Sequence, residues 1–189
     1  DATDFESLEV HPLIELSLRR TKVESLHFLK HGFIELLFLS QTVINDQELE
    51  YLKDKPLKSI DLFKCPVSNL TPVSQKHLEE IVISGTQVED LSPLSECPLK
   101  KLEMRATKIK SLTPLSNCPL EILHLPGSKI SCLKAISHCP ISELNLIGLQ
   151  IEDLTPLLNM PLQKLSISRN TLNEEHIEIL EQLDLKVLH

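Results

Sequence analysis

The chain predicts an α/β solenoid, a right-handed coil with one short strand and one short turn per circuit, and three observations carry that prediction. The first is a period: segments opening near Pro12, Phe33, Pro56, His77, Pro98, Pro119, Pro140, Pro161 and Asp184 recur every 21 residues, with 23 at two of the intervals. The second is the set of apolar offsets within each segment. In Pro98 to Cys118, PLKKLEMRATKIKSLTPLSNC, they fall at Leu99, Leu102, Met104, Ile109, Leu112 and Leu115, which suits neither a long helix nor a series of hairpins. The third is composition: 41% of the 189 residues are apolar, yet Trp is absent, Tyr occurs once and Phe five times. A core of similar aliphatic side chains suits identical stacked layers.

The strand comes first in each coil. In the central segment, Leu102 and Met104 alternate with Lys101, Glu103 and Arg105, so the leucine side points inward and the charged side to solvent. One strand per coil stacks into a parallel sheet. The return side follows: Thr71-Pro72, Ser92-Pro93, Thr113-Pro114 and Thr155-Pro156 set a hydroxyl before a proline, the order of an N-cap and a first helical residue. So few residues remain in a 21-residue coil that the turn is expected to be of 3₁₀ type. The two 23-residue coils carry Asn45-Asp46-Gln47-Glu48 and Asn173-Glu174-Glu175-His176 before apolar-periodic stretches, and true α-helical turns are expected there.

One coil buries too little to fold alone, so the array is expected to behave as a single domain, 1–189, of about nine coils. Phe5 and Leu8 occupy the phases of Leu112 and Leu115, and Leu185 and Leu188 begin a strand near the end, so the chain reads as a fragment of a longer array, or at least as one lacking a dedicated N-terminal cap.

The series Leu99, Leu102, Met104, Thr107, Ile109, Leu112 and Leu115, echoed by Leu120, Leu123, Leu125, Ser128, Ile130, Leu133 and Ile136, resembles the leucine-rich repeat family. The period and the S/T-P-L turn are most similar to short bacterial repeats of internalin type. The resemblance implies a parallel sheet on the concave face and short 3₁₀ or α turns on the convex face. It also implies that an Asn, at the position held here by Thr21, Thr42, Cys65, Thr86, Thr107, Ser128, Leu149 and Asn170, would tie successive coils together. Thr and Ser can replace it as donors and acceptors, whereas Leu149 cannot, so a gap or a repacked turn is expected near Leu149. Similar arrays are attached to larger multidomain proteins, some of them kinases.

Composition narrows the partner classes. A net charge of −8, with only the short pairs Arg19-Arg20 and Lys100-Lys101 as basic clusters, argues against a nucleic-acid partner. No apolar run approaches the length of a membrane span, so no membrane insertion is expected within this chain. Cys97, Cys118 and Cys139 fall at the repeat spacing, and Lys76, Met160 and Leu183 share their phase, so bulk rather than zinc explains them. Thiols used as fillers point to a reducing, cytoplasmic compartment. His124 and Cys132 fall on opposite sides of a coil and cannot share a proton, and no glycine-rich phosphate loop, H-E-x-x-H or nucleophile elbow is present. No cofactor, metal or catalysis is therefore expected.

The variable residues of the strand face remain. Phe38 and Phe63 are expected to be exposed there with Leu36 and Val82 beside them, an apolar patch that reads either as a protein-binding hot spot or as a shield for the core or a loop. Glu103, Arg105, His124 and Ile147 complete the candidate partner-binding set, with Ile122 and Pro126 flanking His124. The expected function is a non-catalytic scaffold that binds another protein or peptide on its concave face. The alternative is a regulatory, sensor or spacer region of a larger signalling protein such as a bacterial Ser/Thr kinase.

Overall fold

Nine strands stack in chain order into one parallel sheet in the computed structural model, which describes residues 13–189. They are β1 (Glu15–Ser17), β2 (Leu36–Phe38), β3 (Ser59–Asp61), β4 (Glu80–Val82), β5 (Lys101–Glu103), β6 (Ile122–His124), β7 (Glu143–Asn145), β8 (Lys164–Ser166) and β9 (Val187–Leu188). Each strand is short because only its middle residue and the residue after its end reach the core. Leu37, Ile60, Ile81, Leu102, Leu123 and Leu144 stack in register and are fully buried, which fixes the face every other strand residue must take. The core runs continuously from Leu18 to Ile167. The expectations for Phe5, Leu8 and Pro12 fall outside the described residues.

The returns are 3₁₀ turns, as the coil length requires, at Thr71–Val73, Ser92–Leu94, Thr113–Leu115 and Thr155–Asn159 among others. Their capping differs from expectation. The Ser or Thr before each proline is the first residue of the turn and its side chain caps nothing. The acceptor lies two residues upstream: Asn69 Oδ1, Asp90 Oδ1, Ser111 Oγ and Asp153 Oδ1 accept the N–H of Thr71, Ser92, Thr113 and Thr155 at 3.0, 2.8, 3.2 and 2.8 Å. A side chain bonding two residues ahead closes a tighter loop than a cap bonding three ahead, which suits a turn with no room for a full α-helical start. The two longer coils do hold α-helices, α1 (Asp46–Leu49) and α2 (Glu174–Leu180), capped by Asn45 and Asn173.

Coils are tied together after each strand by backbone rather than by side chains. Arg20, Gln41, Lys64, Gly85, Ala106, Gly127 and Gly148 all adopt positive φ, between 53° and 77°. This left-handed kink aims the N–H of Arg20, Gln41, Lys64, Gly85, Ala106 and Gly127 at the carbonyl of the next coil, for example Lys64 to Ser84 at 2.9 Å. The threonines expected to bridge coils bond within their own turn, Thr42 to Leu39 O, Thr86 to Ile83 O and Thr107 to Met104 O at 2.8, 2.6 and 3.1 Å, and of these three Thr42 alone also reaches the next coil, at Cys65 Sγ, 3.5 Å away. A hydroxyl on Cβ is shorter than an Asn amide and reaches its own turn carbonyl. Cys65 is the exception, donating across to Leu39 O at 3.0 Å.

The hydroxyl series stops at Ser128, whose buried Oγ has no hydrogen-bond partner among the described residues, and Leu149 has no polar side chain to resume it. Leu149 is only 3% exposed, and its N–H bonds to Leu146 O at 3.1 Å, so its turn is ordinary. The next turn is repacked as a 3₁₀ turn, Arg169–Thr171, and Thr171 rather than Asn170 donates its hydroxyl to Ser168 O at 2.7 Å. Gly148 N–H therefore meets Ser168 Oγ at 2.9 Å in place of a carbonyl.

Candidate protein-binding face

Three rows of side chains cover the solvent face of the sheet: the first strand residue, the third, and the residue two beyond. Phe38 is the third residue of β2 and is in register with Asp61 of β3. Phe63 follows two residues after Asp61. Because Arg19 holds the same position after β1, its side chain spans two coils to reach Asp61, placing Nε and Nη2 at 3.3 and 3.1 Å from Oδ2. Ser40 Oγ donates to the same oxygen, and Phe63 N–H donates to Oδ1 at 3.0 Å. Asp61 is only 8% exposed, and these donors compensate its burial.

Both phenylalanines are half-buried rather than exposed, correcting the expected apolar patch. The Arg19 guanidinium lies 4.4 Å from the Phe38 ring centroid and the Lys64 ammonium 5.2 Å from that of Phe63. Long cationic side chains lay their stems on the rings and keep their charges in water, so the surface becomes aromatic and cationic together. Leu36 and Val82 are half-buried as well.

Phe38, Phe63, Val82, Glu103, Arg105 and His124 line one shallow groove of about 540 Å³, together with Arg19, Arg20, Asp61, Glu80 and Lys101. Leu36 and Ile147 do not line it. Ile147 is 45% exposed beyond β7, whereas Pro126, expected beside it, is buried. Glu103 is bound to Lys101 at 3.0 Å, and that hydrogen bond raises the Lys101 pKa against the opposing effect of burial. His124 Nε2 lies 2.9 Å from Glu143 Oε1, which also accepts Lys164 Nζ at 2.9 Å. The Lys164 hydrogen bond, with His124 adding to it, holds the Glu143 carboxyl below its ordinary range in spite of burial. Arg105 donates its backbone N–H to Ser84 Oγ at 2.9 Å, while its exposed guanidinium has no partner among the described residues.

The sequence missed the Arg19–Asp61–Ser40 network because its members are 42 and 21 residues apart. Stacking the coils by phase was the one signal that could have found it.

The other candidate chemistry is buried. Cys97, Cys118 and Cys139 are core residues whose thiols burial pushes up, Cys97 to about 11, and Cys118 and Cys139 point their sulfurs at Leu94 O and Leu115 O. No group of three or more His, Cys, Asp or Glu is arranged to hold a metal among the described residues.

No protein-family model and no curated protein matches the chain. Solved structures do. Internalin C2 of Listeria monocytogenes is 26% identical with a TM-score of 0.74, covering 82% of this chain and 71% of the internalin. A second internalin of the same organism, inlF, is 24% identical with a TM-score of 0.85, covering 98% of this chain and 57% of its own. A leucine-rich-repeat protein of Leptospira interrogans is 19% identical with a TM-score of 0.62, covering 95% of this chain and 61% of its own. The chain thus spans less than two thirds of the latter two structures. Its sheet, turns and 21-residue period make it a leucine-rich-repeat solenoid of the short, internalin-like type.

Proposed function

We propose that the chain is a non-catalytic protein-interaction scaffold that takes a partner protein or peptide on the solvent face of its sheet, around Phe38 and Phe63. The observation that carries this reading is the groove itself. It sets two half-buried aromatic rings within a polar, hydrogen-bonded surround on an otherwise open sheet, the arrangement in which interfaces concentrate affinity. The rings are held before any partner arrives, because Arg19, Ser40 and Asp61 brace the surface beneath them, so little ordering is lost on binding. The buried thiols, Cys97 at about 11, are protonated at neutral pH and make poor nucleophiles, which favours binding over chemistry.

The test selects peptides from a displayed random library on the whole chain and maps the bound peptide by amide NMR shifts. Shifts centred on β2 to β5, lost in a Phe38→Ser/Phe63→Ser protein that keeps its folded spectrum, are expected. Shifts centred on the return turns, or binding that survives the double substitution, would overturn the reading.

A further inference from the structure

The solvent face is bordered by two rims, and they treat charge differently. On the leading rim, the residues just before the strands, Glu35, Lys58, Glu79, Lys100 and Glu121 alternate in sign, with ion pairs at 2.6 Å for Lys58–Glu35 and 2.8 Å for Lys100–Glu79. On the trailing rim, just after the strands, Arg19, Arg20, Lys64 and Arg105 share one sign. Of these four only Arg19 is paired with a carboxylate among the described residues. Three acids line the groove: Asp61 is taken by Arg19, Ser40 and the Phe63 N–H, Glu103 is taken by Lys101, and Glu80, the one left without an ion pair among the described residues, acts on Lys100 and Lys101 rather than on the trailing cations. Uncompensated positive charge therefore collects beside Phe63 on a protein of net charge −8.

Backbone strain marks the same rim. Gly85, Gly127 and Gly148 hold the left-handed position in three coils, and Arg20, Gln41, Lys64 and Ala106 hold it at φ 53–59° in four others, where a side chain costs about 1–2 kcal/mol. Two of the four side chains that bear this cost are cations.

We infer that the segment this face takes is an extended acidic peptide, its carboxylates seated on Arg20, Lys64 and Arg105 and an apolar side chain against Phe63. The inference rests on the sheet-face reading proposed above and adds the chemistry of the partner. Arg20, Lys64 and Arg105 belong to the coils of β1, β3 and β5, two strand spacings or about 10 Å apart along the rim. An extended peptide of polyproline II type rises about 3.1 Å per residue with three residues per turn, so acids at every third position fall on one side about 9 Å apart and meet all three cations.

The probe is a synthetic peptide with Asp at every third position and Leu or Phe between, titrated into the whole chain and followed by amide NMR shifts. Controls replace each Asp with Lys or with Asn. The Asp peptide is expected to shift residues around Phe63 and Arg105 and to weaken as salt rises from about 0.05 to about 0.3 M. It is expected to lose about tenfold in affinity on Arg20→Glu/Arg105→Glu protein, whose folded spectrum is the control for structure. If the Lys or Asn peptide binds the same face as tightly, or the double reversal leaves the Asp peptide unaffected, the acidic partner is excluded while the sheet-face reading stands. If the Asp peptide binds away from the face, or no peptide binds it, both fall.

Discussion

The leading and trailing rims are built from the same repeat and differ in how their charges are answered. On the leading rim, from the coil of β2 to that of β6, each coil supplies the sign its neighbour lacks. The Lys100 hydrogen bond and charge, with Lys58 beyond it, hold Glu79 below its ordinary pKa, and Glu79 in turn raises Lys100. Shifting the stack by one coil would set like charges together, so this rim specifies register. On the trailing rim the signs do not alternate, and two cations stand on strained backbone. Charges that answer one another serve the fold; charges left unanswered are consistent with an outside partner.

The largest expected effect breaks the trailing rim from beneath. Asp61→Ala leaves Arg19, Ser40 and the Phe63 N–H facing a vacated, mostly buried site, and a loss of about 2–4 kcal/mol in urea unfolding is expected. A loss under about 0.5 kcal/mol would mean the network is not structural. Next in size, Gly148→Ala puts a side chain on backbone at φ 77° and is expected to cost about 1–2 kcal/mol by the same measurement. Ala106→Gly, at φ 53°, is expected to stabilise by up to about 1 kcal/mol, glycine's own chain-entropy cost offsetting part of the relief.

A smaller effect sharpens the leading rim. Glu79→Lys sets a third cation between Lys58 and Lys100, and the thermal midpoint is expected to fall at low salt and recover at high salt. A drop that salt does not relieve would assign Glu79 a packing role instead. The pH dependence follows the same pairs. Glu79 and Glu143 are held low by lysine hydrogen bonds, and Asp90 and Asp153 by the hydroxyls and N–H groups of Ser92 and Thr155. A carboxylate lowered in the folded state contributes stability that is complete above its unfolded pKa and disappears as pH falls through its folded one. Thermal midpoints should therefore be flat near neutrality and decline below about pH 4.

The period, the inward leucines, the 3₁₀ returns and the two α-helical coils were legible because each depends on spacing within one coil. The turn caps were misplaced by two residues because Asp90 and Asp153 act on the residue two ahead, a local bond that the S/T-P pair disguises. The coil-to-coil ties were attributed to side chains, since nothing in a sequence displays that Lys64 adopts positive φ where Gly85 does. The site was half legible. Phase located Phe38 and Phe63, but their coverage by Arg19 and Lys64 and the burial of Asp61 depend on side chains reaching across coils. Leu36 and Ile147 share the exposed phases and still lie outside the groove.

The most direct test of the difference between the rims is one protein measured two ways, Arg20→Gly/Lys64→Gly in urea unfolding and in titration with the Asp-every-third peptide. If the trailing cations serve a partner at a cost to the fold, stability is expected to rise by about 1 kcal/mol while peptide affinity falls. A protein that loses stability, or that binds the peptide as well as before, would contradict the account.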